Sequence, residues 1–162
     1  RGWSPHPHQR AMLAEARAGR SALLIAPTGA GKTLAGFLPT LADLAQHPRP
    51  GLHTLYVSPL KALAADIARN LTRPVTEMGL PITIETRTGD TDAATRRRQR
   101  ETPPHILLTT PESLAVMLSM EDASRIFAGL SIIVVDEIHA LAGTKRGDQL
   151  ALGLARLASL AP

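Results

Sequence analysis

The sequence predicts a three-layer α/β domain, an open parallel sheet with helices on both faces. Three observations lead there. Short apolar runs alternate with helix-length stretches along the whole chain. Several of the runs are apolar at every position, as strands covered on both faces are. Gly or Pro punctuates most of the junctions.

Taken in order, residues 21–26 (SALLIA), 54–58 (TLYVS), 82–86 (ITIET), 105–109 (HILLT) and 131–135 (SIIVV) read as strands. Residues 9–18, 32–45, 60–78, 91–100, 111–120 and 147–160 read as helices between them. Gly19, Gly51, Gly79-Leu80-Pro81 and Pro103-Pro104 mark boundaries. Thr110-Pro111 supplies a cap followed by Pro at the first helical position. No repeat, low-complexity tract or linker interrupts the alternation, so residues 1–162 are expected to be one domain. The first residue is Arg rather than Met, which leads us to expect an excerpt of a longer protein.

Composition narrows the function classes. The chain has no Cys, which excludes disulfides and cysteine zinc sites and agrees with a reducing cytoplasm. The apolar stretches are strand-sized and broken by Pro, Gly or charge, so no membrane partner is expected. A net charge of +4 permits a polyanionic partner. All 18 basic residues are Arg except Lys32, Lys61 and Lys145. With 2% aromatic residues, stacking of bases on rings is not the main mode of contact.

Two motifs carry chemistry, and both fall where a strand ends, the edge at which open α/β sheets bind ligands. The first is Ala26-Pro27-Thr28-Gly29-Ala30-Gly31-Lys32-Thr33. Gly29 and Gly31 let the backbone curl so that successive N–H groups point at a phosphate. The following helix adds its positive end. Thr28, Gly29, Ala30 and Gly31 thus form the cradle, Lys32 reaches the β- and γ-phosphates of ATP, and the Thr33 hydroxyl binds Mg²⁺. The G-x-x-x-x-G-K-[ST] pattern begins with Gly, and here Ala26 stands in its place. The second motif is Asp136-Glu137-Ile138-His139, delivered by an apolar strand. Asp136 can hold Mg²⁺ directly or through water, and Glu137 can orient and deprotonate the attacking water. His139 is suited to hydrogen bonding at the nucleotide rather than to the metal. An Asp-Glu pair after a strand is on its own often a solvated turn; the phosphate loop in the same chain is what turns it into a site.

These residues resemble the superfamily 2 helicases, and more narrowly the large helicase-related (Lhr) proteins. The A-x-T-G-x-G-K-T form of the loop is the usual one in that superfamily, and DEIH is a DExH box. Between them, Ser58-Pro59-Leu60-Lys61-Ala62-Leu63 looks like motif Ia, Arg87-Thr88-Gly89-Asp90-Thr91 like the adjoining T-G-D-T segment, and Thr109-Thr110-Pro111-Glu112-Ser113-Leu114 like motif Ib. The resemblance implies a first RecA-like motor domain of an ATP-dependent DNA translocase that unwinds with 3′→5′ polarity. It implies nucleic-acid contacts at Pro59, Lys61, Gly89, Asp90, Thr91, Thr109, Thr110 and Pro111. Loop N–H groups, helix N-termini and hydroxyls can hold backbone phosphates at such places without reading bases. Pro59 and Pro111 can equally be ordinary helix starters, and Thr110 an ordinary cap. Gln9 resembles the family's Q motif, which implies adenine recognition through the paired donor and acceptor of its amide.

The expected partners are single-stranded DNA at a duplex junction, with RNA or an RNA–DNA hybrid as the alternative polymer, and a downstream second RecA-like domain. A DNA partner implies a nucleoid-associated place in the cytoplasm. The family's Ser-Ala-Thr motif III does not occur after His139, so the residues present are expected to bind ATP·Mg²⁺ and hydrolyse it very slowly by themselves. The dense Arg96-Arg97-Arg98-Gln99-Arg100 run reads as a solvated helix, because consecutive helical positions point several ways. A phosphotransferase for a small molecule lacks an acceptor-binding lid in this sequence, and a non-catalytic scaffold is at odds with the presence of Lys32, Thr33, Asp136 and Glu137. A motor acting on RNA or ribonucleoprotein is the serious competitor.

Overall fold

The computed structural model describes residues 4–27 and 29–160. The chain forms two compact units, one up to Arg49 and one from Pro50 onward. The first holds α1 (Pro7–Arg17) and α2 (Lys32–Gln46), which pack on each other. His6 caps α1 and Pro7 opens it, where a missing N–H costs nothing. On α2 the buried positions Ala35, Phe37, Leu41 and Leu44 give the helix one apolar face.

The second unit carries the sheet. In chain order it runs β1 (Thr54–Val57), α3 (Lys61–Glu77), β2 (Ile84–Arg87), α4 (Ala93–Glu101), β3 (Ile106–Thr109), α5 (Pro111–Leu118), α6 (Ala123–Phe127), β4 (Ile132–Val135), α7 (Ile138–Leu141) and α8 (Lys145–Leu160). The four strands are parallel in the order β2-β3-β1-β4. β1 and β3 lie inside the sheet and are buried at every position, which explains their unbroken apolar runs. Alternate side chains serve opposite faces. Leu55, Val57 and Leu107 join one core with Leu114, Met117, Ile126, Phe127, Leu150 and Leu157 from α5, α6 and α8. α3 packs on β2 and β3, turning Ala64, Ile67, Leu71 and Val75 inward. The layered α/β arrangement is the one expected.

Because the strands are parallel, the segments leaving them line one edge in sheet order: Thr88–Thr91 after β2, Thr110-Pro111 after β3, Ser58-Pro59 after β1, and Asp136-Glu137 after β4. Every middle motif and the DEIH box therefore share a margin.

The structure corrects one strand. Residues 21–26 join no ladder among the described residues, and Leu23 and Ile25 are 72% and 87% exposed. An apolar run becomes a strand only by pairing, and no other segment of the first unit is a strand among the described residues. Two short helices, α6 and α7, were not anticipated; each is a single turn or little more, too brief for periodicity to register. No helix among the described residues is long and apolar enough to cross a membrane.

Candidate functional site

The phosphate loop belongs to the first unit. Gly29 and Gly31 have φ of +83° and +74°, the left-handed region that a side chain resists, so the loop needs glycine at both places. Gly31 is the N-cap of α2 and no side chain caps the helix, so the first turn of α2 faces the loop. Lys32 folds back over its own loop, its Nζ donating to the carbonyls of Ala26 at 2.8 Å and Pro27 at 3.2 Å. Ala30 N–H donates to the Pro27 carbonyl at 3.3 Å. Thr33 sits half-buried in the first turn of α2. Thr28 lies outside the described residues.

Gln9 is buried, and its amide is used inside the unit. Its Oε1 accepts from His6 N–H at 2.9 Å and its Nε2 donates to the Gly31 carbonyl at 3.2 Å. In this conformation the amide braces the phosphate loop. The contact is close enough that a Cβ on Gly31 would meet Gln9 Nε2 at 2.7 Å.

In the second unit the DEIH box continues β4. Asp136 N–H donates to the Val57 carbonyl at 3.0 Å, prolonging the β1–β4 ladder by one rung. The Asp136 carboxylate accepts from Tyr56 OH at 2.5 Å on one oxygen and from Glu137 N–H at 2.8 Å on the other. Burial, with the carboxylate beside it, pushes the Tyr56 phenol far above its ordinary value of 10.0, so it stays a donor. Each carboxylate oxygen keeps a further lone pair. That donor set suits Mg²⁺, which takes one or two carboxylates and keeps most of its water. Glu137 has φ +51° and ψ +39°, the one non-glycine residue with positive φ among those described. Such backbone strain persists where a side chain must be aimed. His139, largely exposed, meets Glu137 at 3.2 Å.

The segments that follow β1 and β2 are stitched to one another. Lys61 pairs with Asp90 at 2.8 Å, joining the segment after β1 to the one after β2. Thr91 Oγ1 accepts from Thr88 N–H at 3.0 Å and closes the turn, leaving Gly89 and Asp90 exposed. Thr110 caps α5 by accepting from Ser113 N–H at 3.4 Å. Thr109 is wholly buried and its hydroxyl donates to the Arg87 carbonyl at 2.7 Å. Pro59 and Pro111 are buried too, which leaves the backbone around them, not their rings, as the surface on offer.

The arginines of the run each have a partner within the unit. Arg96 donates to the Gly89 carbonyl at 2.7 Å, Arg97 pairs with Glu101, Arg98 with Glu85 and Arg100 with Asp122. Two residues of the site were missed by the sequence reading. Tyr56 is the chain's single Tyr, in an otherwise apolar strand, and a buried phenol needs a partner; that signal was available. Arg146 donates to Glu112 at 2.5 Å and to the Pro59 carbonyl at 2.7 Å, tying α5 to the segment after β1. Nothing in the spacing announced it.

Residues 6–162 match the DEAD/DEAH box helicase family. The chain belongs to that family. The Lhr helicase/probable uracil glycosylase of Mycolicibacterium smegmatis is 46% identical over 97% of this chain and 11% of its own length. The ATP-dependent helicase Lhr-Core protein 2 of Thermococcus barophilus is 42% identical over 96% of the chain and 20% of its own. The structure of Mycobacterium smegmatis helicase Lhr bound to ssDNA and AMP-PNP superposes with a TM-score of 0.84, at 45% identity, over 98% of this chain and 21% of that one. The Lhr resemblance read from the motifs is thus borne out, and so is the RecA-like fold. The chain spans 11 to 21% of the length of these three relatives.

Proposed function

We propose that this chain is the ATP-binding motor domain of an Lhr-type, ATP-dependent DNA helicase that translocates 3′→5′. The observation that carries the proposal is the match, over nearly the whole chain, to an Lhr protein bound to both single-stranded DNA and AMP-PNP. The local geometry supports it. The Lys32 ammonium exchanges the carbonyls of Ala26 and Pro27 for the β- and γ-phosphates, with the first turn of α2 behind it. Thr33 and Asp136 would each offer an oxygen to Mg²⁺, which would neutralise charge on the phosphates. Glu137 accepts the proton of the water that attacks the γ-phosphorus; the bond to the β-γ bridging oxygen breaks and ADP leaves. His139 steadies the Glu137 carboxylate. The backbone around Pro59, Gly89-Asp90 and Thr110-Pro111 follows the sugar-phosphate chain without reading sequence. A second RecA-like domain elsewhere in the protein completes the cycle, and the nucleoid is its place of work.

The test uses the full-length protein, with ATP turnover measured without polymer, with single-stranded DNA and with single-stranded RNA, and Lys32→Ala as the blank. Stimulation by DNA of about tenfold or more is expected. No stimulation by either polymer overturns the motor reading, and stimulation by RNA alone moves it to a ribonucleoprotein motor.

A further inference from the structure

Tyr56 is the third residue of β1, is 1% exposed, and stands in register with Val134 on β4. Asp136 lies two residues later, just past the end of that strand, so the phenol reaches forward across the ladder to the carboxylate. The contact is a short hydrogen bond of 2.5 Å from a neutral donor to an ionisable acceptor, the stronger kind. It joins residues 80 apart in sequence. The hydroxyl also meets the Ser58 side chain, and a Phe would fill the same core without either contact.

The same strand ends in the segment assigned to the polymer. Ser58, on the same side of β1 as Tyr56, exchanges weak hydrogen bonds with Leu60 N–H at 3.3 Å and the Leu60 carbonyl at 3.4 Å. They form the turn into Lys61. The Pro59 carbonyl is in turn gripped by Arg146. A rigid strand of four residues thus carries the hold on Asp136 near its end and the polymer-facing turn immediately beyond it.

We propose that Tyr56 is a positioning residue: its hydroxyl fixes the Asp136 carboxylate for Mg²⁺ and makes that position depend on how the end of β1 is seated by the polymer. The proposal rests on the ATP·Mg²⁺ reading above and adds to it a residue and a direction of control. It also explains why a single Tyr stands in an apolar strand.

The experiment compares full-length wild type with Tyr56→Phe, which removes one oxygen and keeps the ring. Equilibrium binding of a fluorescent ADP analogue is measured without Mg²⁺ and across a Mg²⁺ titration, and ATP turnover with and without single-stranded DNA. The metal-free affinity is expected to stay within about twofold, while the Mg²⁺ concentration for half-effect rises about tenfold, the scale of one charged hydrogen bond. Stimulation by DNA should fall more than the basal rate. Combining Tyr56→Phe with Asp136→Asn should add nothing to Asp136→Asn alone.

A Mg²⁺ titration unchanged within twofold overturns the proposal. So does an additive double variant, or an equal loss of metal-free and metal-dependent affinity with a lower melting temperature, since each would make Tyr56 a core residue only. If wild type itself shows no Mg²⁺-dependent nucleotide binding, the reading beneath the proposal falls as well.

Discussion

Lys32 and Asp136 are each held by hydrogen bonds, but from opposite kinds of partner. The Lys32 ammonium rests on carbonyls six and five residues back in its own loop. Asp136 is held by a phenol 80 residues away and by its own neighbour's N–H, and its backbone is laced to β1. A loop satisfied by its own carbonyls can give them up when a phosphate arrives, at little cost to the rest of the fold. A carboxylate anchored to an inner strand cannot shift unless that strand shifts. The phosphate loop is thus built to be rearranged, and the acidic box to report where β1 lies.

The largest effect that would sharpen this contrast is at Glu137. Glu137→Gln in the full-length protein should lower steady-state ATP turnover by about 10³-fold, within the range for a general base, with nucleotide affinity kept within a few-fold. Loss of binding and turnover together would place Glu137 in the cradle instead. Next comes the brace behind the phosphate loop. Gly31→Ala combines an adverse φ with the clash against Gln9 Nε2, and should cost about 2 kcal/mol in denaturant unfolding. Gly29→Ala has an equally adverse φ but open space around it, and should cost about 1 kcal/mol. Equal costs would remove Gln9 from the argument.

A smaller change is expected at Arg146. Its ion pair with Glu112 is half-exposed and contributes little by itself, but the bond to the Pro59 carbonyl seats a polymer-facing segment. Arg146→Ala should weaken single-stranded DNA binding about threefold with metal-free nucleotide affinity unaffected. The smallest effect is on pH dependence. The Arg98 guanidinium beside Glu85, and Arg146 beside Glu112, hold both carboxyls below their ordinary value of 4.5. A depressed folded-state value gives stability that is present above pH 4.5 and lost as pH falls from there through the folded values. Acid unfolding of Arg98→Gln should therefore show a shallower loss below pH 4.5 than wild type; an unchanged slope would make the pair inert.

Much of this was legible in the sequence, and the divide follows the range of the forces involved. The Ala26–Thr33 loop and the DEIH box could be read because their geometry is set by a few consecutive residues, a glycine pair before a helix and a carboxylate after a strand. β1 and β3 could be read because strands buried at every position are rich in apolar residues, and β4 because it is wholly apolar. Residues 21–26 met that criterion and still formed no ladder, since pairing is settled by distant neighbours. The same nonlocality hid Arg146, which acts on Glu112 and Pro59 at separations of 34 and 87 residues.

The central claim is that ATP turnover in this protein moves a DNA strand, and duplex opening tests it most directly. Full-length protein would be mixed with ATP, Mg²⁺ and a DNA duplex bearing a single-stranded tail at either the 3′ or the 5′ end, beside a Lys32→Ala control. The account predicts ATP-dependent release of the displaced strand from the 3′-tailed duplex, and none with Lys32→Ala. Failure to open either duplex, or equal opening by Lys32→Ala, would contradict it.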